Sequence, residues 1–406
     1  MKNMIIGQSG GPTAVINASL YGAITEGLDQ TKEIGTIFGM VNGIEGFLSG
    51  KYINLTELKG TNELELLRTT PGAYLGSCRY KLPEDLSDEV YPKLFDMLNK
   101  KNIGFFFYIG GNDSMDTVSK LSRYAETIGS RIRFIGIPKT IDNDLVLTDH
   151  TPGFGSAAKY VATVVREIIV DASVYDNKTS VTIVEIMGRH AGWLTAASVL
   201  ARTFKGDNPV LIYLPESPFN QDAFVEKVKK SLETTPNLVV CISEGINDGE
   251  GTFICESSGE VGLDVFGHKT LTGAGKHLEN LIKDRLGVKV RSIELNVAQR
   301  CSSSNLSETD LRESSNAGVF AVQSALKGET GKMISFLRRD DHPYDMSYQL
   351  EDVNLICNQE KTVPKEWISN EGSDLTDDFI RYVRPLIQGN VTIPQENGLP
   401  LFAYRE

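Results

Sequence analysis

The sequence predicts an α/β fold of two lobes, each built on a parallel sheet. Three observations predict it. A strand–glycine loop–helix pattern recurs from the first residues onward, the strands read as continuous apolar runs, and neither a solenoid repeat nor a low-complexity tract interrupts them. Helices cover both faces of a parallel sheet, so its strands are apolar throughout instead of alternating.

The elements follow in chain order. Met4-Ile5-Ile6 is a short apolar strand that breaks into Gly7-Gln8-Ser9-Gly10-Gly11-Pro12-Thr13, and residues 14–20 then suit a helix. The same grammar returns at 103–109, which ends in Gly110-Gly111-Asn112-Asp113-Ser114. It returns once more at 133–137, which ends in Pro138-Lys139-Thr140. A second set of strands covers 180–186, 210–214, 238–242 and 288–295, with helical stretches between them. The crossing from one lobe to the other falls near residue 150. Residues 247–275 are rich in Gly, Ser and acid and read as an inserted loop or hairpin. Beyond about residue 340 the chain turns polar and proline-punctuated, as an appended tail would.

Composition narrows the function. A chain of 406 residues makes two or three domains at about 100–200 residues each. Hydrophobic residues at 40% and charged residues at 23% exclude disorder, collagen and coiled coil. Lys+Arg 41 against Asp+Glu 53 gives a net charge of −12. That balance excludes a nucleic-acid binder or a basic membrane-surface protein, and any anionic substrate must meet a local cluster of Arg and Lys. Five cysteines without CxxC spacing read as reduced thiols of a cytoplasmic chain, not as a disulfide frame or a zinc site. No apolar run has the length of a membrane span, and Met1-Lys2-Asn3 leads straight into a strand, so neither a span nor a signal peptide is expected.

Glycine loops at strand ends are where α/β sheets bind ligands, because helix N-termini and free N–H groups point there. Ser9-Gly10-Gly11 is either a phosphate cradle or a tight turn. It is no Walker A, since GxxxxGK[ST] occurs nowhere. Residues 153–158 fit GxGxxA, but the polar stretch before them is no strand, so the match is read as chance. In Pro138-Lys139-Thr140-Ile141-Asp142-Asn143-Asp144, two aspartates stand beside a lysine and a threonine hydroxyl. The segment is either an Asx-turn with solvated acids or a general base next to a phosphate-binding cation. Asp113 on the preceding glycine loop favours the second, because neighbouring parallel strands bring both loops to one rim. Met187-Gly188-Arg189-His190 also follows a strand. Arg189 can reach a phosphate there, while His190 is either a titrating catalyst or a hydrogen-bonding residue. Arg79, Arg291 and Arg300 complete the cations available to an anion.

Together SGGPTAVIN, GAYLGSCR, GGNDS, PKTIDND, MGRHAGW and ISE, then R…AQR, resemble the phosphofructokinase family, in the family's order over roughly residues 4–330. The resemblance implies two similar doubly wound, Rossmann-like α/β/α lobes with the active site in the cleft between them. Residues 1–150, with about 300–340, would form the phosphoryl-donor lobe, 151–299 the fructose 6-phosphate lobe, and 341–406 a C-terminal extension packed on both. By the same resemblance Asp142 is the catalytic base, and Thr140 and Asp144 hold the sugar and the transferring group. Gly11 and Gly111 meet the donor, and Arg79 and Arg189 stabilise charge. Met187, Gly188 and Glu244 contact the sugar, and Arg291 and Arg300 clamp the 6-phosphate. Part of that clamp comes from a neighbouring subunit in the family, which implies a homodimer or homotetramer. Mg²⁺ is the implied cofactor, with Asn112 at a metal position.

Two positions choose the donor. ATP-dependent members carry glycine where this chain has Asp113 and Lys139, so the chain resembles the diphosphate-dependent branch. The aspartate fills and charges the space an α-phosphate would need, and the lysine supplies a cation beside the shorter donor. The expected reaction is reversible transfer from diphosphate to the 1-hydroxyl of fructose 6-phosphate. The alternatives are an ATP-dependent enzyme, or a diphosphate-dependent kinase of another sugar phosphate such as sedoheptulose 7-phosphate. Four positions depart from the family's pattern: Asn112 replaces an acid, Pro12 an aspartate, Val297 a His or Tyr, and Ser180 an arginine for which Lys178 is the substitute on offer.

Overall fold

The structure is a computed structural model that describes residues 1–174, 178–258 and 273–405. The chain opens with strand β1 (Lys2–Gln8), helix α1 (Ile16–Asp29), strand β2 (Ile34–Met40), helix α2 (Gly43–Leu48) and strand β3 (Tyr52–Asn54). Helices α3 (Asn62–Leu67) and α4 (Val90–Lys100) lead into β4 (Ile103–Gly110), α5 (Asn112–Thr127) and β5 (Arg133–Pro138). Next come α6 (Phe154–Ser173), β6 (Ser180–Ile186), α7 (Trp193–Ala197) and β7 (Leu211–Tyr213). They are followed by α8 (Gln221–Leu232), β8 (Asn237–Ser243), α9 (Ala274–Leu286) and β9 (Lys289–Glu294). Helix α10 (Glu308–Leu326), strands β10 (Lys332–Asp341) and β11 (Tyr344–Asp352), and helix α11 (Asp377–Val383) come after them.

Two sheets carry these elements. The larger runs β11-β10-β5-β4-β1-β2-β3, with β3 and β11 antiparallel at its edges and the strands between them parallel. The smaller, β7-β8-β6-β9, is parallel throughout. Side-chain alternation explains the unbroken apolar runs. Met4, Ile6, Phe107 and Ile109 enter one core layer of the large sheet, and Ile5, Phe106, Tyr108 and Phe134 the other. In the small sheet Val184, Ile186 and Val239 face α6 and α7, while Ile183, Val240 and Ile242 face α8 and α9. Each lobe is therefore a three-layer α/β/α sandwich.

After residue 300 the chain returns to the first sheet. Helix α10 lies against α1 at a close crossing, where a Cβ on Gly22 would stand 1.9 Å from the Ser315 carbonyl oxygen and one on Gly318 2.1 Å from that of Ser19. Only glycine fits at either point.

The tail expected beyond about 340 is partly something else. Residues 344–352 form an edge strand paired with β10 from Lys332↔Asp352 to Asp341↔Tyr344. Met346, Tyr348 and Leu350 pack on the core at every second position, a period-two pattern that the polar residues between them hide in a composition count. Of the expected insertion at 247–275, residues 259–272 lie outside the described residues. The GxGxxA match has a structural explanation: the Asp310 carboxylate accepts from the Gly153 N–H at 3.0 Å and the Ser156 N–H at 2.8 Å, so an internal acid caps that helix start. Among the described residues no helix is long and apolar enough to cross a membrane.

Candidate active site

The carboxyl ends of β1, β4, β5, β6 and β8 converge on one cleft, as open parallel sheets dictate. The cleft comprises two contiguous hollows of about 340 Å³ and 620 Å³ that share Asp113, Asp142, Asp144 and Arg300. Of the sequence-predicted residues, Gly11, Arg79, Met187, Arg189 and Glu244 line the first, and Gly11, Gly111, Asn112, Lys139, Thr140 and Met187 the second.

On the first-lobe side the glycine loop after β1 turns at Gly10, whose φ of 78 favours glycine. It is tied to the neighbouring loop through Ser9 Oγ and Ser114 Oγ, 2.9 Å apart. A Cβ on Gly11 would lie 3.3 Å from Arg300 Nη1, so the glycine lets the arginine of the second lobe approach. Lys139 is 4% exposed, and its ammonium donates to the Gly11 carbonyl at 2.6 Å. Burial lowers its pKa to about 8 despite the attraction of Asp142 and Asp144. Helix α5 begins at Asn112 with no side-chain cap, leaving its first turn facing the larger hollow. Asp113 pairs with Lys81 at 3.4 Å, and Lys81 lines the same hollow.

The loop after β5 owes its shape to Asn143. This residue sits at φ 54, accepts from the Thr151 N–H at 3.1 Å, and donates to the Tyr382 hydroxyl at 2.8 Å. Turned in this way, the loop presents both Asp142 and Asp144 to the cleft. The Asp142 N–H donates to Thr140 Oγ1 at 3.0 Å, and that hydroxyl donates to Asp142 Oδ2 at 3.3 Å. Burial pushes Asp142 up from the usual carboxylate range, against the pull of Lys139. Burial and then the Asp142 charge raise Asp144 to about 7. Asp144 Oδ1 is buried without a hydrogen-bond partner.

From the second lobe, the Gly188 N–H donates to Glu244 Oε1 at 3.2 Å, and Ser243 Oγ donates to the Gly188 carbonyl. Burial raises Glu244 to about 7. The Met187 N–H donates to Gln299 Oε1 at 3.3 Å, which locks the Met187-Gly188-Arg189 loop to the short turn ending in Arg300. His190 is half-exposed and pairs with Glu360 at 3.1 Å, and that hydrogen bond raises its pKa.

Two of the expected residues are engaged by other partners. Arg291 is not in the cleft with Arg300. It stands on β9, beside Asp171 at 3.5 Å, and lines a separate depression with Thr182. Nine residues of spacing put one arginine on an edge strand and the other in the following turn. Asn112, expected at a metal position, has its amide engaged elsewhere: Oδ1 accepts from the Asn358 N–H at 2.6 Å and Nδ2 donates to the Gln359 carbonyl.

Tyr80 and three charged or amide side chains of the cleft escaped the sequence. Lys81 lies two positions after Arg79 with no motif to mark it. Asn358 and Glu360 line the larger hollow from the polar stretch read as a tail, and no local signal points to them.

Comparison with known proteins agrees with this geometry. A family model described as Phosphofructokinase matches residues 3–325. A pyrophosphate–fructose 6-phosphate 1-phosphotransferase of Halomonas elongata is 38% identical over 99% of this chain and 95% of its own length. One of Xanthomonas campestris pv. campestris is 40% identical over 98% and 95%. The crystal structure of a pyrophosphate-dependent phosphofructokinase from Marinobacter aquaeolei superposes with a TM-score of 0.89 at 37% identity, covering 99% of this chain and 96% of that one. A matching family model over most of the chain and relatives alike from end to end mean that this chain belongs to the phosphofructokinase family.

Proposed function

We propose that this protein is a diphosphate-dependent phosphofructokinase that transfers a phosphoryl group reversibly between diphosphate and the 1-hydroxyl of fructose 6-phosphate. The observation that carries this reading is the pair flanking the donor hollow, the Asp113 carboxylate on one loop and the buried Lys139 ammonium on the next. The acid crowds and repels a nucleotide's third phosphate, and the lysine sits beside a donor of two. The relatives named above carry the same activity in their names.

The chemistry follows from the residues. Asp142 takes the proton of the sugar 1-hydroxyl as its oxygen attacks the nearer phosphorus of diphosphate. The new P–O bond forms as the bridging P–O bond breaks, and its electrons leave on orthophosphate. Lys139, Arg79 and Arg189 offset the charge that develops on the transferring group, while Thr140 orients the base. Glu244, Met187 and Gly188 position the sugar, and Arg300 holds its phosphate. Reversal is accessible because diphosphate and the sugar ester differ little in transfer potential.

Mg²⁺ is the cofactor this reaction calls for, and the residues fit it. The partnerless Asp144 oxygen beside a second carboxylate suits a hard cation, so Asp144 with the phosphate oxygens would hold the ion, and Asn112, already engaged, would not. When bound, the ion supplies positive charge against the phosphate oxygens. Arg291, outside its own cleft on an edge strand, serves the 6-phosphate of a neighbouring subunit, which makes the working form a homodimer or homotetramer in the cytoplasm.

The test is an assay of the purified protein with fructose 6-phosphate, Mg²⁺ and each donor in turn. Diphosphate should support turnover and ATP should not. A preference for ATP overturns the reading of Asp113 and Lys139.

A further inference from the structure

Residues 358–361 cross the cleft rim as a strap, bonded on both sides. The Asn358 N–H donates to Asn112 Oδ1 at 2.6 Å, and the Gln359 carbonyl accepts from Asn112 Nδ2. Glu360 pairs with His190 of the second lobe at 3.1 Å. The Lys361 N–H donates to the Asp144 carbonyl at 2.7 Å, and the Lys361 carbonyl accepts from Trp193 Nε1 at 2.9 Å.

We propose that this strap limits the length of the phosphoryl donor, and that Asn112 is the positioning residue that holds it against the donor hollow. The inference rests on the diphosphate reading above and deepens it. Asn358 and Glu360 line the same hollow as Gly11, Asp113 and Lys139, so the strap is one of its walls. A third phosphate would meet that wall, and the Glu360 carboxylate adds to the negative charge of Asp113 there.

The residue type at 112 follows from the clamp. One side chain must accept from an N–H and donate to a carbonyl, which an amide does and an ionised carboxylate, an acceptor only, cannot. An aspartate would set its lone pairs against those of the Gln359 carbonyl. The amide that departs from the family's acid is thus matched to the strap it grips.

The test compares the wild type with Asn112→Asp and Glu360→Ala, using diphosphate and inorganic tripolyphosphate as donors to fructose 6-phosphate, with amide hydrogen exchange at 358–361 recorded in parallel. Both variants should raise the ratio of kcat/KM for tripolyphosphate over that for diphosphate by roughly tenfold or more. Asn112→Asp should also accelerate exchange at the Asn358 amide. An unchanged ratio in both variants, with faster exchange in Asn112→Asp, overturns the length limit. Unchanged exchange overturns Asn112 as the clamp. A wild type inactive with diphosphate sinks the donor reading and this inference with it, whereas an active wild type with unaltered ratios sinks the inference alone.

Discussion

The Tyr382 hydroxyl accepts a hydrogen bond from the Asn143 side chain at 2.8 Å across 239 residues of sequence. The same hydroxyl donates to the Asp149 carbonyl at 2.7 Å. A helix of the C-terminal region thereby holds the left-handed asparagine that orients Asp142 and Asp144. Tyr382→Phe leaves the Asn143 amide without that partner and should cost about 1–3 kcal/mol of stability. Turnover should fall about ten- to a hundredfold as the loop loses its geometry. Urea denaturation and steady-state kinetics read the two effects, and wild-type turnover in this variant would show that the loop is held without the tyrosine.

Removing the base should separate activity from stability. Asp142→Asn deletes a charge that burial disfavours, so the melting temperature should hold or rise. Turnover should drop by about 10²–10⁴. Thermal melting with an activity assay checks both, and near-normal turnover would refute Asp142 as the proton acceptor.

Acid should slow the enzyme before an ordinary carboxylate would titrate. Asp142 and Asp144 are both raised, Asp144 to about 7, and they titrate as a pair. The active form needs an ionised Asp142, so kcat/KM should decline on the acid side, at a pH above the usual carboxylate range. Asp144→Asn removes the neighbouring negative charge, eases ionisation of Asp142 and should move the acid limb to lower pH. A limb that stays in place would uncouple the two carboxylates.

His150 makes stability fall on the alkaline side. It is buried between Asp149 at Nδ1 and Glu313 at Nε2, both 2.8 Å away, while Arg338 also grips Asp149 and Tyr344 donates to Glu313. Burial alone would depress the imidazole, but the Glu313 charge and the two hydrogen bonds outweigh it and raise the pKa from 6.5 to about 9. The folded state thus binds this proton more tightly than the unfolded chain. Its contribution is complete below about pH 6.5 and is lost as pH rises through about 9. Unfolding free energies of wild type and His150→Gln should differ most below pH 6.5 and converge above pH 9. A gap that does not narrow with pH would show the imidazole to be neutral in the fold.

Much of the fold was readable along the chain, for identifiable reasons. Ile103 to Gly110 declares a buried parallel strand because both faces are apolar, and Gly110-Gly111 marks the loop that follows. Strand β11 was hidden because its apolar residues occupy only alternate positions, between Asp345, Ser347, Gln349 and Glu351. The Asp310 cap on α6 was equally invisible, since Asp310 stands 157 positions after Gly153.

Local order decided the chemistry this chain carries: carboxylates, a lysine and arginines on glycine loops at strand ends, because residue type and immediate neighbours set a loop's shape and charge. Packing of the two lobes decided the rest. It sent Arg291 outward while Arg300 came to Gly11, and it drew Asn358, Glu360 and Tyr382 from an unmarked tail into contact with the reacting loops. Distances between residues hundreds of positions apart depend on how sheets and helices stack, and no short-range spacing encodes them.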